Sequence, residues 1–216
     1  MTQSHGLRER KRQQTRSRIV DSATTLVEKH GFDNVTIEEI CADAEISKRT
    51  FFNYMESKDE AVLGTLPVAF DEDRLAHFVD TPSNNLVHSA LGELATLMSE
   101  LHEGDDDDFR GRINQRRRNI IAKEPSLALI SFTRYRELAA HLHDAISRHL
   151  EKHPGDRRLQ GLSDDEEATA LVSLIRESLF FSNARSTDSC PSTDDLLELW
   201  TDSALQLTTL SKGLHW

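Results

Sequence analysis

The chain has 216 residues, 37% hydrophobic and 29% charged, with a formal net charge of −11 and two cysteines. That length suits one sizeable domain or a small head on a larger body. It has no apolar run long enough to cross a bilayer and no leading segment with an apolar core and cleavage site, so a soluble cytoplasmic protein with no membrane partner is expected. Cys41 and Cys190 form no CxxC pair, which excludes a zinc ribbon and a disulfide framework and leaves two reduced thiols.

A net charge of −11 argues against a nucleic-acid partner, but its distribution does not. Among residues 1–20, Arg8, Arg10, Lys11, Arg12, Arg16 and Arg18 face a single acid, Glu9, while acids gather at 105–108 and 164–167. The chain is basic in front and acidic behind, a polarity that leaves a local patch to bind while the rest limits non-specific adhesion.

In chain order, Ile19, Val20, Ala23, Leu26 and Val27 recur at helical spacing, and Gly31 stands where a C-terminal stop belongs. In VTIEEICADA, Thr36 and Glu39 make a capping box, with Val35 and Ile40 as a hydrophobic staple. Ile46 and Ser47 start another helix with Phe51 as staple partner, and Ser57 with Glu60 forms a second capping box. Two short helices joined by ADAEIS behind a longer one predict a helix-turn-helix, whose second helix enters the major groove by Ser47, Lys48, Arg49 and Thr50. The stretch SKRTFFNYMESKDE also sets Lys48, Arg49 and Lys58 beside two helix N-termini. A helix N-terminus carries about half a positive charge, so each cation there costs a few tenths of a kcal/mol unless an anion joins it. The phosphate backbone of a duplex is the expected anion.

TIEEICADAEISKRTFFNYMESKDEAVL resembles the DNA-binding signature of the TetR family of bacterial repressors, a likeness that runs from about Arg8 to Leu63. RTFFNY is further similar to actinobacterial regulators, including those of the mycofactocin type. The resemblance implies an all-α fold of about nine helices: a three-helix helix-turn-helix DNA-binding domain over 1–63 and a larger effector-binding and dimerisation domain over 64–216. It implies that Thr36, Tyr54 and Lys58 contact phosphate, that Lys48, Arg49 and Thr50 face the groove, and that Asn53 lies near a base or phosphate. Two positions depart from the family pattern. Glu45 stands where Gly is usual and is expected to take a positive φ under strain, and Met55 replaces a usual Phe while filling the same apolar gap. Phe51 and Phe52 are both expected in the core, with a thymine methyl as the other partner open to Phe52.

Beyond residue 60 the chain reads as helices broken at TPSNN, EGDDDD, KEPS, HPGD and RSTDSCPST, with no strand-like alternation. Pro67 is expected to kink or end the fourth helix. Two C-terminal helices, roughly 164–186 and 193–212, are apolar on more than one face. The resemblance assigns Leu171, Leu174, Leu179, Phe180, Leu196, Trp200 and Leu207 to a four-helix dimer interface. His141, His143, His149 and His153 share one predicted helix, and His149 and His153 are one turn apart like a metal pair. No third ligand accompanies them, so no metal is expected and a solvated face is the plainer reading. Arg116, Arg117 and Arg118 read either as a fork for an anionic effector such as an acyl thioester or as partners of the aspartates at 105–108. No GxSxG, Walker-type or HExxH run is present, so neither an enzyme nor a cofactor is expected. The resulting expectation is a ligand-responsive repressor that binds a palindromic operator as a homodimer. A small molecule, lipophilic, cationic or an acyl thioester, would release it; the alternative is a protein-interaction module that keeps the scaffold without binding DNA.

Overall fold

The computed structural model describes residues 3–65, 70–101, 107–185 and 193–214. Those residues form ten α-helices and one 3-10 turn, with no strand among them. The helices are α1 (Gln3–His30), α2 (Ile37–Asp43), α3 (Lys48–Phe52), α4 (Lys58–Leu63), α5 (Glu72–Asp80), α6 (Leu86–Leu101), α7 (Asp107–Lys123), α8 (Pro125–Lys152), α9 (Asp164–Arg185) and α10 (Thr193–Gly213). The all-α expectation holds, with ten helices in place of nine. The expected fourth helix is shorter than its apolar pattern suggests: it ends at Leu63, where Gly64 takes φ +82. Pro67, expected to break it, lies outside the described residues.

The chain divides into two compact units. The first takes 3–65 together with 107–133, the second 70–101, 134–185 and 193–214. This partition differs from a split at 63/64, because α7 and the opening of α8 join α1 to α4. Their apolar side chains explain it: Ile113, Ile120 and Leu127 are buried in one cluster with Ile19, Val20, Ile40, Phe51, Met55 and Val62. Burying an Ile or Leu side chain contributes about 1.5–3 kcal/mol, so this segment supplies a large part of the unit's stability.

Polar anchors fix α7 against α1 and α4. Arg116 Nη1 is 2.6 Å from Asp21 Oδ1, Asn119 donates to Glu28 at 2.7 Å, and Arg117 Nε donates to the Val62 carbonyl at 2.9 Å. The same guanidinium lies against Gly64: a Cβ there would stand 2.6 Å from Arg117 Nη2 and displace it, while the φ of +82 favours glycine. Gly31, at φ +85, ends α1 as its sequence position predicts, and Glu124 accepts a hydrogen bond from the Phe32 N–H beyond it at 2.9 Å.

The second unit has its own core: Phe78, Leu91, Leu94, Leu142, Ile146, Leu150, Ile175, Leu179 and Trp200, drawn from α5, α6, α8, α9 and α10. The histidines divide: His141 is exposed and His143 half-buried, whereas His149 and His153 are not on a solvated face. His149 is wholly buried, with Nδ1 3.0 Å from the Phe78 carbonyl and Nε2 3.0 Å from Asp156 Oδ2, while His153 Nε2 meets the Val79 carbonyl at 3.2 Å. They pin α8 to the end of α5. Glu167, also buried, accepts from the Arg158 N–H at 2.6 Å and from Arg157 Nε at 3.3 Å, so its charge is compensated where it sits.

Candidate nucleic-acid interface

Three hydroxyl caps organise the reading segment of the first unit. Thr36 Oγ1 accepts from the Glu39 N–H at 3.2 Å while the Glu39 carboxylate takes the Thr36 N–H at 2.8 Å, the expected capping box. Ser47 Oγ accepts from the Thr50 N–H at 3.0 Å and lies 2.8 Å from the Thr50 hydroxyl. Ser57 Oγ accepts from the Glu60 N–H at 3.2 Å, but Glu60 reaches back to the Glu56 N–H at 2.6 Å, one residue before the cap. Helices of five to seven residues do not hold themselves in water, so these caps and the shared core fix their geometry.

The turn between α2 and α3 carries the predicted strain. Glu45 sits at φ +53, a left-handed position that costs a non-glycine residue about 1–2 kcal/mol. Met55 is buried, as expected for a side chain filling an aromatic's place, and so is Phe51. Phe52 is corrected: 55% of it is exposed, its ring edge-on to Phe51 at 5.4 Å. Arg49 and Asn53 are exposed too, and Thr50 is half-buried, so α3 presents an arginine, two small polar groups and an aromatic face. Such a surface can meet base edges and a thymine methyl.

The cations find anions and dipoles within the chain itself. Lys48 pairs with Glu38 of α2, and this contact holds the Glu38 carboxyl below the usual carboxylate range. The Lys58 ammonium donates to the carbonyls of Phe32 and Val35, each at 2.7 Å, and stands 4.0 Å from the Phe32 ring centroid. The loop between α1 and α2 thus offers Lys58, expected at a phosphate, two carbonyl dipoles and a π face within the chain. Tyr54, half-buried, packs against the core. Cys41 is buried with a free thiol, its pKa raised by burial; Cys190 lies outside the described residues.

Residues 19–63 match the model of the tetR family of bacterial regulatory proteins. Residues 19–63 thus carry a tetR-type domain. It is 27% identical over 138 residues to the HTH-type transcriptional regulator TcmR of Streptomyces glaucescens, covering 63% of this chain and 61% of that protein. It is 30% identical over 104 residues to UidR of Escherichia coli strain K12, covering 43% and 53%. The chain therefore spans less than two thirds of the curated relatives it matches. Salmonella enterica GusR superposes with a TM-score of 0.46 at 18% identity, over 92% of this chain and 95% of that one. The tetR-type domain is the part that sequence similarity and local geometry describe together.

In the second unit, the expected interface residues divide. Leu179 and Trp200 are buried in the unit's own core; Leu171, Leu174 and Leu196 pack against it, and Leu207 is half-buried. Phe180 is 72% exposed, as are Leu205 and Leu210 at 62% each. Between α6 and α10 runs an open groove of about 470 Å³, with Leu197 and Leu205 among its apolar lining and Asp194, Glu198 and His88 beside them. Among the described residues no three metal-ligating side chains converge, and no helix is long and apolar enough to cross a membrane. Arg116, Arg117 and Arg118, proposed from sequence for an anionic effector, bond instead to Asp21, the Val62 carbonyl and Gln115. They belong to the first unit, and the aspartates at 105–106 lie outside the described residues.

Proposed function

We propose that the protein is a ligand-responsive transcriptional repressor that binds a palindromic operator as a homodimer. The observation that carries this reading is the capped recognition helix α3, which exposes Arg49, Asn53 and Phe52 from a rigid, shared core. Two such helices must stand about 34–36 Å apart to meet successive major grooves, so a dimer is required for full affinity. Exposed Phe180, Leu205 and Leu210 supply apolar surface for it. The effector is a lipophilic or cationic compound, because the arginines an acyl thioester would need are occupied within the first unit while acids border the groove beside α10. A ligand releases DNA only if it prefers the geometry that does not fit the duplex.

One observation favours the other reading, a protein-interaction module: residues 31–65 hold three cations against eight acids. Selection of duplexes from a random pool by the full chain, followed by titration of the complex with lipophilic cations and acyl thioesters, separates the two. A palindromic preference that a lipophilic cation abolishes supports the repressor; no duplex enriched above background overturns it.

A further inference from the structure

A small cavity between α1 and α7 lies wholly within the first unit. Gln13, Arg16 and Ser17 line it from α1, and Arg110, Asn114 and Arg117 from α7. Three guanidiniums, two amides, a hydroxyl and no carboxylate thus make up its polar lining among the described residues. Its volume is about 20 Å³, more than the roughly 10–15 Å³ that one water needs, so it admits one small polar group. Asn114 is exposed, which leaves the cavity reachable from solvent.

The arginines around it meet neutral acceptors. Arg16 Nη2 donates to the Thr65 hydroxyl at 2.8 Å, and Arg117 Nε donates to the Val62 carbonyl at 2.9 Å. Thr65 donates in turn to Glu60 at 3.0 Å, which leaves that carboxylate one hydroxyl away from Arg16. The Nε of Arg110 is out of contact with water. The next arginine of α7 is treated differently: Arg116 meets Asp21 at 2.6 Å and Glu28 at 3.9 Å. The chain therefore gives carboxylates to Arg116, and hydroxyl, carbonyl and amide groups to the arginines of the cavity. Cations gathered in this way repel one another, and guanidinium N–H groups withdrawn from water need acceptors. A single anion answers both requirements, since the guanidinium fork matches the spacing of oxyanion oxygens.

We propose that this cavity is a binding site for a small oxyanion of the phosphate class, with Arg16, Arg110 and Arg117 as its charged donors and Gln13 and Asn114 beside them. The site is independent of operator binding, because every residue that forms it belongs to the fold of the first unit. Two of its arginines already hold the end of α4, Arg117 at Val62 and Arg16 at Thr65. An anion between them ties α1, α4 and α7 together through one group. A ligand bound only by the folded chain stabilises it by mass action, so the anion is a stabiliser of the unit that carries the capped helices. Free phosphate and the phosphate end of an organic monoester share the required chemistry.

The test uses the full chain without DNA, at constant ionic strength, with inorganic phosphate, glycerol 3-phosphate and acetate titrated in calorimetry and in thermal melting. Inorganic phosphate should bind once per chain and raise the Tm with its concentration. Glycerol 3-phosphate binding as well as phosphate assigns the site to phosphate ends in general, and weaker binding assigns it to the free ion. Acetate binding as tightly as phosphate overturns the oxyanion class. Arg110→Gln removes one charged donor and should weaken phosphate about 10- to 100-fold. Lys123→Gln makes the same charge change on an exposed side chain of α7 and should leave the affinity as it is. An equal loss in both variants overturns the proposal by showing general attraction in place of a site. Gln13→Glu places a carboxylate among the arginines, with little change of shape. It should raise the Tm without phosphate and abolish the further rise with it, an outcome that decides the matter even if Arg110→Gln unfolds. A phosphate response that persists in Gln13→Glu overturns the site. So does the lack of any shift or heat in the wild type at about 10 mM phosphate, which would fill a site of millimolar Kd.

Discussion

In the first unit, α2, α3 and α4 are five to seven residues long, and each begins on a hydroxyl that accepts a backbone N–H. In the second, α6 and α9 run for 16 and 22 residues and are held by leucine, isoleucine and alanine in a common core. A short helix gains little from its own hydrogen bonds, so its position depends on named polar contacts: caps, the carbonyl cage of Lys58, the anchors of α7. A long amphipathic helix is positioned by its apolar stripe, and its polar contacts work at its ends, as His149 and Arg157 do. The comparison shows where specificity is stored. Surfaces that must keep a fixed geometry are built from many single contacts, and those that need only cohesion are built from area.

The sharpest way to break this contrast is to remove α7 and the start of α8. Ile113, Ile120 and Leu127 together contribute about 5–9 kcal/mol, against about 5–15 kcal/mol for the whole of a typical domain. A fragment ending at Thr65 is expected to show no cooperative thermal transition by circular dichroism, whereas a fusion of residues 1–65 to 107–133 regains one. A transition in the short fragment would restore the domain boundary read from sequence.

A smaller loss comes from Lys58→Met, which keeps the stem but leaves the Phe32 and Val35 carbonyls without their donor. The expected cost is about 2 kcal/mol in urea unfolding, with the salt slope of DNA binding unchanged. A reduced slope with full stability would return Lys58 to the phosphates. Smaller again, and opposite in sign, Glu45→Gly relieves the left-handed position and should stabilise by about 1 kcal/mol, read as a higher denaturation midpoint. The glycine also frees the unfolded chain, so a gain near zero would mean that entropy cancels strain.

The second unit is sharpened by acid. Asp156 accepts from the Ser83 N–H at 2.8 Å and from His149 Nε2 at 3.0 Å, and these bonds hold its carboxyl below the usual carboxylate range. A depressed folded pKa stabilises the native state above the unfolded value, about 3.9, and that contribution is lost as pH falls through the folded value. Asp156→Asn should flatten the stability profile below about pH 4 and leave the slope near neutrality unaltered. An unchanged acid limb would show that the carboxylate's bonds are replaced by water.

Much of the first unit was legible because its signals are local. Thr36 and Glu39, Ser47, Gly31 and the strain at Glu45 each depend on neighbours within four residues, and each is found as expected. Contacts between distant residues were not legible. Arg117 meets Val62 across 55 positions and Glu124 meets Phe32 across 92, and nothing near either residue specifies its partner. The run of three arginines hid α7's role, yet Phe109, Ile113 and Ile120 already mark a buried stripe at i, i+4 and i+11. For Leu179 and Trp200, periodicity announced an apolar face without saying whether the chain's own core or a partner covers it. Phe52 follows the same rule: adjacent aromatic residues on a helix point in different directions, and only one can be inside.

The carbonyl cage of Lys58 also makes that side chain unlike the other lysines of its unit as a chemical nucleophile. Lys11, Lys29, Lys48 and Lys123 are exposed, but the Lys58 amine must leave two carbonyls before an acylating reagent can reach its lone pair. Modification there follows opening of the loop between α1 and α2 and locks it open once it occurs. The rate at which Lys58 is labelled in the intact protein is thus a clock for the loosening of the reading domain, readable residue by residue by mass spectrometry with or without bound DNA.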